Sequence, residues 1–224
     1  LPSSDFDKTM RRPMSLSYQD DKSFKIIYKP IGDGTRIMRD WKKDDSIDVL
    51  GPLGNSWDTS SGKEAVLLGG GVGIAPILNL YNSIKATKTA HLFFGARKKN
   101  EHFINHNPDE NIYISTDDGS AGIKGNLFEA MKSIFDISVL QDKSIYVCGP
   151  PMMMEAVRKF SVEHNIECHL ALETIMACGI GICQGCTVEK CSSNTYSDTY
   201  RNKYELVCMD GPIYKANEVK TCLL

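Results

Sequence analysis

From Ala65 to Glu173 the chain alternates apolar runs with amphipathic ones, and this alternation restricts its fold more than any other feature. "AVLLGG", "AHLFFG", "NIYIST", "SIYVCG" and "ECHLALE" are short runs of strand-forming residues, the pattern of buried strands. Between them, "APILNLYNSIKA", "GNLFEAMKSIF" and "PMMMEAVRKFSVEH" repeat apolar side chains at three- and four-residue intervals, as a helix lying on a sheet requires. The expected core is a five-stranded parallel, doubly wound α/β domain with helices on both faces. Residues 1–60 are β-rich instead: "RPMSLSY", "SFKIIYKP" and "DSIDVLGP" suggest strands and "TRIMRDW" one short helix. After Glu173 glycine, cysteine and polar residues take over, with "SSNTYSDTYRN" expected as a solvated excursion. Three domains are therefore expected, at 1–60, 61–173 and 174–224.

Charge narrows the function. The chain carries 26 basic and 28 acidic residues spread along its length, so it lacks the footprint of a nucleic-acid binder. No uninterrupted apolar run reaches the roughly 18 residues of a membrane span. With no signal-peptide pattern at Leu1, the cytosol is the expected compartment.

"LLGGGVGIAP" ends one strand and opens a helix. There Gly71 and Gly73 would let backbone amides approach a pyrophosphate at the helix's positive end. Pro76 stands where the dinucleotide fingerprint has its third glycine, and the second strand ends in Arg97 and Lys98, which would suit a 2′-phosphate. The turn at Gly149-Pro150-Pro151 would lie beside this loop, with Cys148 facing the crevice or simply buried in the strand. Met152 to Met154 are expected to pack. Upstream, Arg12, Pro13, Met14 and Ser15 form an extended segment whose guanidinium and hydroxyl suit a pyrophosphate and a ring. Gly34 and Thr35 offer a second anion site, Gly34 by close approach and Thr35 by capping the short helix. A solvated arginine and a plain tight turn are the alternatives.

Eight cysteines fall mostly in the last third of the chain, which favours metal over a secreted disulfide scaffold. Cys178, Cys183 and Cys186 follow the C-x4-C-x2-C spacing of plant-type [2Fe–2S] loops, and Gly179, Gly181 and Gly185 would let the backbone curl around a cluster. Zinc and plain buried thiols stay open as alternatives. The fourth ligand is contested between Cys191 and Cys208, the latter ending "YELVC" before an Asp-Gly-Pro turn. Cys168 and Cys222 are expected to be structural.

In order, "RRPMSLS", "GDGT", "GPLGNSW", "GGGVGIAP" and "VCGPPMMM" resemble the ferredoxin–NADP reductase superfamily over residues 10–165. The resemblance implies FAD on the Arg-Pro-x-Ser strand, NAD at the two glycine turns, and a six-stranded flavin barrel. Only three or four of its strands are found before residue 60, so a partial barrel is expected. "ALETIMACGIGICQGC" followed by "LVCMDGPIY" resembles the iron–sulfur module of electron transfer subunits of class B dihydroorotate dehydrogenases, which implies Cys208 as fourth ligand. It further implies a partner subunit carrying FMN that oxidises dihydroorotate, its electrons passing through the [2Fe–2S] cluster and FAD to NAD+. Reductase subunits serving ferredoxin, sulfide or hydrogenase partners are the related alternative, although some of those carry aspartate where this chain has Cys178. A zinc-stapled binding module with no redox role is the alternative from another class.

Overall fold

The computed structural model describes residues 11–191 and 199–221, so most of the expected polar excursion and Cys222 lie outside the described residues. The first segment contains β1 (Leu16–Gln19), β2 (Phe24–Ile26) and α1 (Asp33–Arg39). The middle contains β3 (Glu64–Gly70), α2 (Ile74–Ile84), β4 (Ala90–Ala96), β5 (Ile112–Thr116), β6 (Ile123–Lys124), α3 (Leu127–Ile134) and α4 (Ile137–Gln141). It closes with β7 (Lys143–Cys148), α5 (Pro151–Glu163) and β8 (Glu167–Ala171). The last part holds β9 (Thr187–Glu189), α6 (Tyr200–Lys203), β10 (Tyr204–Leu206) and β11 (Ile213–Lys215).

Among the described residues one sheet runs β11-β8-β7-β3-β4-β5-β6. Its five expected strands are parallel to one another, and the sheet gains a short parallel edge at β6 and an antiparallel edge at β11. β3 shows how the sequence directs this. Val66 and Leu68 point to one core, with α3 and α5, while Ala65 and Leu67 point to the other, with α2, because successive strand residues face opposite sides. All four are fully buried, and Val66, Leu67 and Leu68 each contribute about 1.5–3 kcal/mol. Pro76 falls in the first turn of α2, where a missing N–H leaves no intrahelical bond unmade.

The opening segment follows its pattern only in part. β1 and β2 pair antiparallel with an irregular register near Leu16, and β1 packs on α2. Residues 12–15 precede β1 rather than belong to it, since Pro13 has no N–H for a ladder. "DSIDVLGP" forms no strand: no described strand forms a ladder with it, and Ile47, Val49 and Leu50 stay exposed. A β-pattern needs a neighbouring strand to satisfy its backbone groups. No described helix is long and apolar enough to cross a membrane.

Candidate functional site

Parallel strands end in step at the crevice: Gly70 of β3 stands beside Gly95 of β4, and Gly69 beside Cys148 of β7. The turns after β3 and β7 border a crevice of about 230 Å³, rimmed by Gly71, Gly149, Pro150, Glu173 and Thr221. Sheets of this kind bind ligands at the carboxyl ends of strands where the order reverses. Gly71 has φ +55° and open space where a side chain would be. Gly73 differs, because a Cβ there would lie 2.5 Å from the Cys148 carbonyl oxygen. Its missing side chain permits close packing of the helix start on β7, while the residue itself lines the crevice. Gly149 likewise lets the two turns cross, a Cβ there lying 3.0 Å from the Gly70 Cα. For Cys148 the structure decides between the two alternatives. Its side chain is 1% exposed within the core shared with α2, and burial raises its pKa. It lies beneath the crevice rather than facing it.

Glu173 and Thr221 escaped sequence reasoning. Glu173 follows β8, and its position at a parallel strand's carboxyl end is a signal that would have found it; it is exposed at the rim, and partial desolvation by the surrounding groups lifts its carboxyl above the ordinary range. Thr221 gives no local signal. Met154 is buried and Met153 packs on the same core, whereas Met152 is exposed. Arg97 is turned onto Glu101, with Nε 3.2 Å from one carboxylate oxygen and the backbone N–H donating to the other at 3.1 Å.

On the first segment the two expected anion sites meet. A Cβ on Gly34 would lie 2.9 Å from Arg12 Nε, so Gly34 provides the space that seats the guanidinium against α1. Thr35 Oγ1 accepts the N–H groups of Ile31 and Gly32 at 3.0 and 3.2 Å. It thereby caps from the third helical position, with Gly32 as the N-cap. Pro13 and Ser15 are exposed and Met14 half-buried beside this cradle. A cationic fork seated on a glycine suits the pyrophosphate of FAD.

The cysteines assemble in two pairs. Cys178 Sγ accepts the N–H groups of Ile180 and Cys183 at 3.5 and 3.4 Å, and these donors hold its pKa down to about 6. Positive φ at Gly179 and Gly181 produces the tight loop, while Gly185 leaves room beside Cys183 Sγ. Register brings up the second pair. Leu206 pairs with Thr187, the Val207 N–H reaches the Cys186 carbonyl at 2.9 Å, and the Cys208 N–H donates to Cys186 Sγ at 3.4 Å. Burial lifts Cys208 to about 11, and the thiols of Cys186 and Cys178 act on it in the same direction. Cys191 is exposed beyond the other end of β9, its N–H bonded to Glu218. Five extended residues put it roughly 16 Å from Cys186. Cys168 is buried in the sheet core, its pKa raised to about 12.

Among the described residues, no three or more His, Cys, Asp or Glu side chains gather as a site for one metal ion. Two thiol pairs, each tied by N–H to sulfur bonds, instead form a donor set suited to a two-iron cluster.

Known proteins match this layout. Residues 173–220 match the iron–sulfur cluster binding domain of dihydroorotate dehydrogenase B, and residues 67–159 the oxidoreductase NAD-binding domain. The chain is 33% identical to the dihydroorotate dehydrogenase B (NAD(+)) electron transfer subunit of Caldanaerobacter subterraneus subsp. tengcongensis, over 94% of this chain and 81% of that protein. Against the same subunit of Listeria monocytogenes the identity is 37%, over 98% and 85%. A solved NADH-dependent reduced ferredoxin-NADP oxidoreductase superposes with TM-score 0.77 at 26% identity, over 94% of this chain and 74% of that one. The thiol loop and the glycine crevice fall inside the two matched domains, the identity runs through nearly the whole chain, and the chain belongs to the family of dihydroorotate dehydrogenase B (NAD(+)) electron transfer subunits.

Proposed function

We propose that this chain carries electrons between an FMN-containing dihydroorotate dehydrogenase catalytic subunit and NAD+, in the cytoplasmic synthesis of pyrimidines. Dihydroorotate loses two electrons and two protons to become orotate; NAD+ takes both electrons and one proton as hydride, and one proton is released. When bound, FAD exchanges electron pairs with nicotinamide and a [2Fe–2S] cluster exchanges single electrons. The paired thiols are the observation that carries this reading.

In it, Cys178 and Cys183 hold one iron and Cys186 and Cys208 the other, all within a module at 174–224. Arg12, with Pro13, Met14, Ser15, Gly34 and Thr35, holds FAD in the segment at 1–60. Gly71 and Gly149 receive NAD in the domain at 61–173, over a floor that includes Gly73 and Cys148. The Arg97 fork, engaged by Glu101, supports NAD rather than a 2′-phosphorylated nucleotide.

The test is the visible spectrum of the purified protein, before and after NADH. Flavin and [2Fe–2S] absorption, both bleached by NADH, is the expected result. A colourless protein containing zinc would sink the proposal.

A further inference from the structure

Residues 48–57 join the flavin-side cradle to the nucleotide sheet without forming a helix or strand, yet the segment is anchored along its length. Asp48 pairs with Arg11, next to Arg12. Leu53 rests on the loop after Cys178, its Cδ1 3.3 Å from where a Cβ on Gly179 would stand. Trp57 packs edge-on against Tyr146 of β7, ring centroids 5.7 Å apart.

Asn55 makes the densest contact. Its Nδ2 donates to the carbonyls of Asp210 and Ile213 at 3.0 and 2.9 Å, its Oδ1 accepts the Ile213 N–H at 2.9 Å, and its own N–H donates to Gly211 at 2.6 Å. Both amide protons are thus committed to the one turn that follows Cys208. An exposed asparagine ordinarily bonds to water, because ordering its side chain costs entropy. The preceding turn at 206–210, which carries Cys208, closes without Asn55. Asp210 already accepts the Leu206 N–H at 2.7 Å, and the N–H groups of Met209 and Asp210 return to the Leu206 carbonyl at 2.9 and 2.8 Å.

We propose that Asn55 is a positioning residue that locks the Cys208 arm of the thiol cradle to the flavin-side segment and so sets the gap electrons cross inside the subunit. Leu53 touches the Cys178 arm and Asn55 the Cys208 arm, so one strap spans both sides of the cradle. This rests on the assignment of FAD to the Arg12 cradle and of the cluster to the four thiols.

The test uses the full chain loaded with FAD and cluster. Asn55→Ala deletes the three side-chain bonds. Asn55→Asp keeps size and the acceptor for Ile213 but turns the two donors into an oxygen facing two carbonyls. Both variants should keep wild-type iron and sulfide and a wild-type rate of flavin reduction by NADH. Subsequent electron passage to the cluster, followed by rapid mixing and freeze-quench electron paramagnetic resonance, should slow on the order of tenfold, as displaced reacting groups do. Wild-type passage in both variants overturns the proposal. If Asn55→Ala sheds iron, Asn55→Ser decides: an intermediate rate supports the strap and a wild-type rate refutes it. Absence of flavin or cluster signals in the unmodified protein would count against the cofactor assignment, not the strap.

Discussion

Gly71 and Gly73 stand two residues apart in one loop, and their missing side chains answer different needs. Gly71 sits in the left-handed region with space around it, whereas Gly73 abuts the end of β7. Gly71→Val should therefore cost about 1–2 kcal/mol of backbone strain and block the crevice, so NADH should no longer reduce the flavin while dithionite still does. Gly73→Ala forces a Cβ toward the Cys148 carbonyl and should lower stability by about 1–3 kcal/mol, as overpacking does. Thermal melts and NADH stopped-flow traces of the two variants check this, and equal effects in both assays would show that the loop acts as a single unit. Sequence alone could not separate these glycines, because each satisfies the same spacing and only the neighbour differs.

At the level of elements, α5 shows how a helix ties down residues 216–221. Glu155 takes the Arg158 fork at 2.7 and 2.9 Å and the Thr221 hydroxyl as well, while Arg158 reaches the Ala216 carbonyl at 3.5 Å. The Arg158 guanidinium, hydrogen-bonded to it, holds the Glu155 carboxyl down to about 2. A carboxyl depressed on folding contributes stability that is complete above its unfolded pKa, near 4.5, and is lost as pH falls through about 2. Glu155→Gln should therefore cost about 2–3 kcal/mol at pH 7, a side chain only 12% exposed being little screened. The gap between variant and wild type should narrow steadily as urea titrations move from pH 5 toward pH 2; a constant gap would mean that the carboxylate charge is not the source. Helices α1, α2, α3 and α5 and the five main strands were legible because their periodicity is local, whereas the short α4 and α6 were not. "DSIDVLGP" misled because the same β-pattern with no neighbour to pair with stays irregular, and β11 was missed because three residues at the tail have no periodicity to read.

Across the whole molecule, the thiol pairs, the Arg12 cradle and the glycine crevice are three separate sites, and their order along the chain is not that of the relay, in which FAD stands between cluster and nucleotide. Cys208→Ser should strip the cluster, leave NADH reduction of FAD intact, and drop dihydroorotate-dependent NAD+ reduction in the reconstituted complex to near background. Cys191→Ser should change neither iron content nor coupled turnover. Iron loss in Cys191→Ser alone would move the fourth ligand. The amino-acid sequence by itself determined the α/β alternation, the C-x4-C-x2-C loop and the two glycine turns, since periodicity and spacing are properties of neighbouring residues. Tertiary structure alone decided that Cys208 and not Cys191 lies beside Cys186, that Cys148 lies beneath the crevice, that Arg12 rests on Gly34, and that Asn55 grips the turn at 210–213. Each of these depends on strand register or on a hydrogen-bond partner distant in sequence, and no local pattern specifies which distant group the fold will bring near.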